Sequence, residues 1–304
     1  MTPRRRFLQS AAAVAAGMTG SSLNSYGQAA AAAALPTVRF GKHEISRLVL
    51  GSNQFYGYSH FNRLLDETMR EWYTHDRIDE VMKRCEQQGI NAYQYAHSER
   101  AAPDLERYQA RGGGMKLIAV NLTKSPIEEV ARIIKPAGLY YHGERTDVLF
   151  REGKMDAARE FTKQVRQLGV MVGIGTHKPE VVELVEEQGW DVDFYLLCAY
   201  NRTRTRDELQ KLLGHVPVQP SEVYLEEDLA RTYRVIRQTK RTCFVFKILA
   251  AGRLSSPQQV DAAFKTAFDG IKPQDCVVVG MYPRYIDEVK ENADRVRRIL
   301  GPSA

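Results

Sequence analysis

The residues able to do chemistry in this chain gather at one kind of position, the last residues of short β-rich runs. In order they are Asn53 and Gln54, then Gln94, Tyr95 and His97, then Asn121, His142, Glu144, His177, Tyr200, Asn201 and Lys247, and finally Tyr282 and Arg284. Such a set can bind hydroxyl groups and move protons, because imidazole, phenol and carboxylate groups act as general acids or bases when held against a reacting atom. A second chemistry fits the same set. His142 and His177 close runs expected to be neighbouring strands, whose axes lie ~4.8 Å apart. With His97 or Glu144 they could hold a divalent metal and leave one position open for a hydroxyl-rich substrate. A third makes Lys247 an imine-forming nucleophile in an apolar pocket. The bland alternative is that each histidine only hydrogen-bonds loop backbone.

These positions need elements to hold them, and the chain after residue 36 supplies an unbroken alternation. The β-rich runs are Arg47–Gly51, Asn91–Tyr95, Lys116–Leu122, Gly138–His142, Val170–Thr176, Asp193–Tyr200, Cys243–Leu249 and Cys276–Met281. Segments with helical spacing of apolar residues follow them: Asp76–Gln88, Ala102–Ala110 (the weakest), Ile127–Ile134, Met155–Leu168, Pro179–Gln188, Glu226–Gln238, Pro257–Phe268 and Ile286–Leu300. Ser125-Pro126, Pro179 and Ser256-Pro257 sit where helices should begin, and Gly89 and Gly169 where they should stop. Eight strand–helix units predict an α/β protein, a (β/α)8 TIM barrel, as a single domain over residues 37–304. A doubly wound sheet would be expected to carry a Gly-rich phosphate turn after its first strand, and Gly51-Ser-Asn-Gln-Phe55 lacks it. The long loops, Asn53 to Thr74 and Asn201 to Glu222, should lie over the C-terminal face, where barrel active sites form.

The order of several short motifs resembles the aldo/keto reductase superfamily over nearly the whole of residues 37–304. Phe40 to Gly51 is similar to that family's opening hairpin and first strand. Gly89-Ile-Asn91 is similar to its entry to strand two, and Gly138-Leu-Tyr-Tyr-His142 to the strand-four segment ending in a catalytic histidine. Gly173-Ile-Gly-Thr-His177 stands where the family has a Gly-x-Ser-Asn turn. The resemblance implies carbonyl or alcohol oxidoreduction of a small or sugar-like substrate with a nicotinamide cofactor. It implies that Tyr200 and Asn201 support the nicotinamide, and that Gly252, Arg253, Arg284, Glu291 and Asn292 hold the nucleotide. Glu288 stands where many relatives meet a 2′-phosphate, and a carboxylate there favours NAD over NADP. The family's catalytic set is mostly replaced: its aspartate position is Gln94, its tyrosine Glu99 and its lysine Asn121, while His142 is in place. Tyr95 or His97 is then the candidate proton donor, with His142 orienting the reacting oxygen. The alternative is a cofactor-free or metal-assisted lyase, isomerase or hydrolase acting on carbohydrates. The third reading is a non-catalytic sugar-binding barrel.

Composition sets the outer limits. The 304 residues are 43% hydrophobic and 26% charged, ordinary for a globular chain. Of the net charge of +6, three belong to Arg4, Arg5 and Arg6, and the remaining +3 is too small and mixed a surplus to suggest nucleic acid. Arg202-Thr-Arg-Thr-Arg206 is read as a solvated loop face. Pro3-Arg-Arg-Arg-Phe-Leu-Gln9, a mildly apolar stretch and the alanines at 29–34 read as a twin-arginine signal peptide and cleavage region over residues 1–36. The expected partners are the twin-arginine export machinery and a small-molecule substrate, and the expected location is periplasmic or extracellular. The apolar stretch is too short for a membrane span, which needs ~20 apolar residues. Cys85, Cys198, Cys243 and Cys276 include no C-x-x-C pair. A Cys243–Cys276 bridge is one option, and buried thiols are the preferred one.

Overall fold

A computed structural model describes residues 34–301. The chain opens with an antiparallel hairpin, β1 (Thr37–Phe40) and β2 (His43–Ser46), with Phe40 opposite His43. Eight strands follow: β3 (Leu48–Leu50), β4 (Ala92–His97), β5 (Lys116–Asn121), β6 (Gly138–Tyr141), β7 (Met171–Thr176), β8 (Phe194–Cys198), β9 (Thr242–Phe246) and β10 (Cys276–Val279). They are parallel and close into a barrel in sequence order, β10 pairing back onto β3 through Val277–Leu48 and Val279–Leu50. The expected (β/α)8 barrel is therefore the fold.

Two apolar layers hold it. Inside the barrel, Val49, Ala92, Ile118, Val120, Tyr140, Leu196 and Val278 meet the hairpin's Phe40 and Ile45. Phe40, Phe194 and Phe244 form a mutual edge-on trio with centroids 5.2–5.5 Å apart at the N-terminal end. Rings of that size need a bare backbone opposite: a Cβ on Gly173 would lie 2.3 Å from the Phe194 ring. Outside, residues of the other strand face, such as Leu48, Leu50, Tyr93, Tyr95, Leu139, Ile174 and Val245, pack under the helices. The period-2 alternation of strand side chains separates the two layers.

The helices are α1 (Arg63–Trp72), α2 (His75–Gln87), α3 (Ala102–Ala110), α4 (Ile127–Ile134), α5 (Gly143–Arg151), α6 (Asp156–Gln167), α7 (Pro179–Glu187), α8 (Arg206–Leu213), α9 (Glu227–Gln238), α10 (Pro257–Gly270) and α11 (Glu288–Leu300). Three of these differ from the sequence reading. α1 and α8 lie in segments read as loops; each is short and fully buries one residue, Met69 and Leu209. Caps start them: Asn62 accepts from Leu65 N, and Thr205 with Glu208 forms a reciprocal capping box. α5 is hidden for another reason. Its buried residues are Gly143, Thr146 and Asp147, a polar face.

β4 runs two residues past the expected end at Tyr95, because His97 pairs with Asn121 of β5. β9 ends earlier than expected, at Phe246, where the backbone turns left-handed at Lys247 (φ 61°) and again at Ala250 and Ala251. All four cysteines are buried free thiols. Cys243 and Cys276 belong to the outer and inner layers respectively, so adjacent strands do not bring them face to face. No helix among the described residues is long and apolar enough to cross a membrane. The export reading falls on residues 1–36, of which 1–33 lie outside the described residues.

Candidate functional site

The C-terminal mouth is built from strand ends and from the two long loops. β6 hands over to α5 at His142, whose carbonyl accepts from the Thr146 amide and hydroxyl, at 2.9 and 3.1 Å. The His142 side chain takes no part in capping. It is half-buried, its Nδ1 has no partner among the described residues, and its ring lines an open groove of about 530 Å³ with Leu122, Tyr141, Glu144 and Val148. Burial lowers its pKa, and Lys247 and Arg145 add to this against the opposing charges of Glu144 and Asp147. His142 is therefore a neutral imidazole near pH 7.

Behind it, α5 places Asp147 beneath the end of β7. Asp147 accepts from the Thr176 hydroxyl at 2.5 Å, from the His177 amide at 3.2 Å, and from His177 Nδ1 at 2.7 Å. Both side chains of the His177–Asp147 pair are almost fully buried. Burial drives the His177 pKa down to about 4, a larger effect than the opposing pull of Asp147. The ring is thus neutral, its proton fixed on Nδ1 and its Nε2 lone pair turned to Arg202 Nη1 at 3.4 Å.

Arg202 knits the mouth together. Its Nη1 donates to Glu144 at 2.9 Å and its Nη2 to Glu222 at 2.8 Å, while its Nε is buried without a partner among the described residues. Glu222 also accepts from the Tyr224 hydroxyl at 2.7 Å and meets His60 Nδ1 at 3.0 Å. Burial works against ionisation of Glu222, but the bonds from His60 and Tyr224 and the Arg202 charge prevail and hold its pKa at about 2. Asn53 reaches His60 Nε2 at 3.3 Å, closing the chain of contacts between the two long loops.

Lys247 stands apart in this network. Among the described residues its ammonium has no hydrogen-bond or ion-pair partner, and it lies over the Phe246 ring, 5.3 Å from the centroid. Its pKa falls to about 8, first through desolvation, with Arg202 adding and Cys198, Glu222 and Glu144 opposing. Its charge in turn depresses His60, His142 and His177.

The remaining sequence candidates lie elsewhere. Gln94 points into the barrel below the mouth, donating to the Tyr140 hydroxyl at 2.7 Å and meeting Ser52 at 3.4 Å. Tyr95 and His97 alternate onto the outer face, where they contact each other at 3.2 Å under α3, so they do not share the groove with His142. Asn121 organises its own turn, bonding Thr123 and the Ser125 carbonyl. His142 and His177 do not form the expected metal pair. Among the described residues no three His, Cys, Asp or Glu groups gather to hold a metal, and the cationic Arg202 faces the one His177 nitrogen that could bind it. Arg202 itself corrects the solvated-loop reading of its segment, being only 6% exposed.

The set expected to hold a nicotinamide nucleotide is committed to internal contacts. Tyr200 is 5% exposed and meets Tyr224 edge-on at 5.4 Å, leaving no open ring face for stacking. The Asn201 backbone N–H donates to Asp228, and its buried Oδ1 has no partner among the described residues. Arg253 donates to the His60 and Ala250 carbonyls and covers the Tyr224 ring, and Gly252 beside it is left-handed. Glu291 and Asn292 both accept from Arg295. Arg284 is exposed and touches Tyr282. Glu288 turns inward to accept from the Tyr282 amide at 2.6 Å. Tyr73, just past α1, donates to the Met281 carbonyl, and Tyr282 donates to the Thr68 carbonyl in α1, so α1 covers the end of β10. These residues do not fit the nucleotide as arranged.

Sequence reasoning passed over Asp147, Arg202, Glu222, Tyr224 and His60. The signal available was positional: four of the five fall in or beside the two long loops assigned to the mouth, and Asp147 follows His142 by five residues.

Fold and site together define a (β/α)8 barrel with a polar, hydrogen-bonded C-terminal mouth. No family model and no curated protein matches the chain. Among solved structures it is similar to the holo form of aldo-keto reductase AKR11C1 from Bacillus halodurans, at 13% identity over 89% of this chain and 93% of that one, with a TM-score of 0.54. A Gox0644 variant in complex with NADPH aligns at 10% identity over 89% and 90%, TM-score 0.53. A truncated 3-deoxy-D-arabino-heptulosonate 7-phosphate synthase from Thermotoga maritima aligns at 13% over 88% and 91%, TM-score 0.51. The structural neighbours thus include aldo-keto reductases and enzymes of other classes; at such identities the likeness is one of fold.

Proposed function

We propose that this chain is an enzyme that moves protons on a small, neutral hydroxy-carbonyl compound, an isomerase or lyase working without a nicotinamide. The observation that carries this reading is His142, a neutral imidazole lining an open groove beside a locked polar network. A neutral imidazole accepts a proton from carbon next to a carbonyl if the carbonyl oxygen is held, and such catalysis contributes roughly 10²–10⁴-fold. Arg202 is matched by Glu144 and Glu222, and these carboxylates with the neighbouring imidazoles offer hydrogen bonds to hydroxyl groups. The nicotinamide reading taken from sequence resemblance requires Tyr200, Arg253, Glu291 and Asn292 to leave their present partners.

Proton exchange of dihydroxyacetone and glycolaldehyde in D2O, followed by NMR with no nucleotide added, tests this. Exchange above the buffer rate, slowed at least ~100-fold in His142→Ala, supports it. Turnover that appears only with NADH or NADPH sinks it, and binding with no exchange favours the sugar-binding barrel. We further propose export by the twin-arginine route. Replacing Arg4 and Arg5 by lysine should abolish export, and undiminished export would reject the assignment.

A further inference from the structure

We propose that Lys247 forms a covalent imine with the carbonyl carbon of the substrate, making it the nucleophile of the site. The inference rests on the reading of the mouth as a hydroxy-carbonyl site and deepens it. The charged groups withdrawn from solvent around it are paired: Arg202 with two glutamates, Glu222 with Arg202, His60 and Tyr224, and Asp147 with Thr176 and His177. Lys247, by contrast, has no hydrogen-bond or ion-pair partner among the described residues, although Glu144 and Glu222 are near enough to affect it.

The backbone points the same way. β9 stops at Phe246 and Lys247 takes up a left-handed φ of 61°, a conformation that strains a residue with a Cβ. The Ala250 amide closes on the Lys247 carbonyl at 2.8 Å and fixes this turn. Strain held by surrounding structure at a strand end of a barrel is the setting in which a side chain is aimed rather than merely accommodated. With a pKa of about 8, about a tenth of the amine is neutral at pH 7.

The step balances without a co-reactant. The neutral amine attacks the carbonyl carbon, the C–N bond forms, and the C=O electron pair moves to oxygen, which takes a proton. The nitrogen loses a proton, the hydroxyl leaves as water after a second protonation, and the nitrogen lone pair completes a protonated imine. That cation acidifies the neighbouring C–H, the proton assigned above to His142.

The test is to incubate the protein with dihydroxyacetone or glycolaldehyde and sodium cyanoborohydride, which reduces a protonated imine to a stable amine, and then to map the adduct. The expected result is one adduct, of probe mass less one oxygen, on the peptide carrying Lys247. It should form at least tenfold faster than any surface lysine reacts, and its rate should rise through pH 8 rather than pH 10. Lys247→Met and Lys247→Arg should lose it, and circular dichroism checks that both remain folded. Labelling spread over surface lysines, with Lys247 unreactive in the wild type, overturns the proposal. If D2O exchange persists in Lys247→Met, the imine is refuted while the acid–base reading stands. If the wild type shows neither exchange nor adduct, both fall.

Discussion

Two desolvated groups at different strands of the barrel titrate in the same pH window with opposite effects on stability, and removing either should expose the other. His177 has its pKa lowered from 6.5 to about 4 by burial. Between those values the unfolded chain binds a proton that the folded chain refuses, so stability falls as pH falls. Glu288 has its pKa raised from 4.5 to about 7, again chiefly by burial, with the Tyr282 amide opposing. Here the folded chain holds the proton, so stability is greatest below pH 4.5 and is lost as pH rises through 7. At 1.36 kcal/mol per unit, lowering the pH from 7 to 5 costs about 2 kcal/mol through His177 and returns about 2–3 kcal/mol through Glu288. The wild-type protein should therefore change little over this range through these two groups. Glu288→Gln, which keeps an acceptor for the Tyr282 amide, should lose about 2–3 kcal/mol more than wild type on going from pH 7 to pH 5. His177→Gln should gain by a similar amount. Urea unfolding at the two pH values measures both. If the Glu288→Gln and wild-type differences agree within about 0.5 kcal/mol, the opposition described here does not exist.

Asp147→Ala strips three donors of their buried acceptor and should cost about 3–5 kcal/mol, seen as a melting point lower by roughly 6–15 °C. Thr176→Val, which leaves the His177 bonds in place, should cost only about 1 kcal/mol by the same measurement. Gly173→Ala drives a methyl into the Phe194 ring and should destabilise by about 1–3 kcal/mol, whereas the paired change with Phe194→Leu should recover part of that in a double-mutant cycle. Incubation with zinc or with a chelator should leave the melting point unchanged, because Arg202 guards the only free nitrogen of His177; a shift above ~2 °C at micromolar zinc would contradict this.

The barrel is legible in the sequence because its eight strands are buried on both faces and read as short apolar runs between caps. Phe194–Cys198 and Cys276–Val279 have no exposed residue to interrupt the pattern. What pattern reading misses is what carries the site. α5 buries Thr146 and Asp147 in place of an apolar stripe, so it looks like loop, and the partner of His177 is hidden with it. Arg202 sits in an arginine-rich run that composition describes as surface, and only the convergence of Glu144 and Glu222 from distant segments explains its burial. Tyr95 and His97 show the reverse error. Both stand near a strand end, but one residue of parity turns each to the outer face.

The hairpin at the other end of the barrel bears on how the site is used. Phe40, Phe194 and Phe244 give the barrel a solid floor, and Ile45 and Val49 thicken it. The interior is filled with side chains and is not a tunnel. Whatever is bound at the mouth enters and departs through one doorway, so a reaction product competes with the next reactant for a shared threshold.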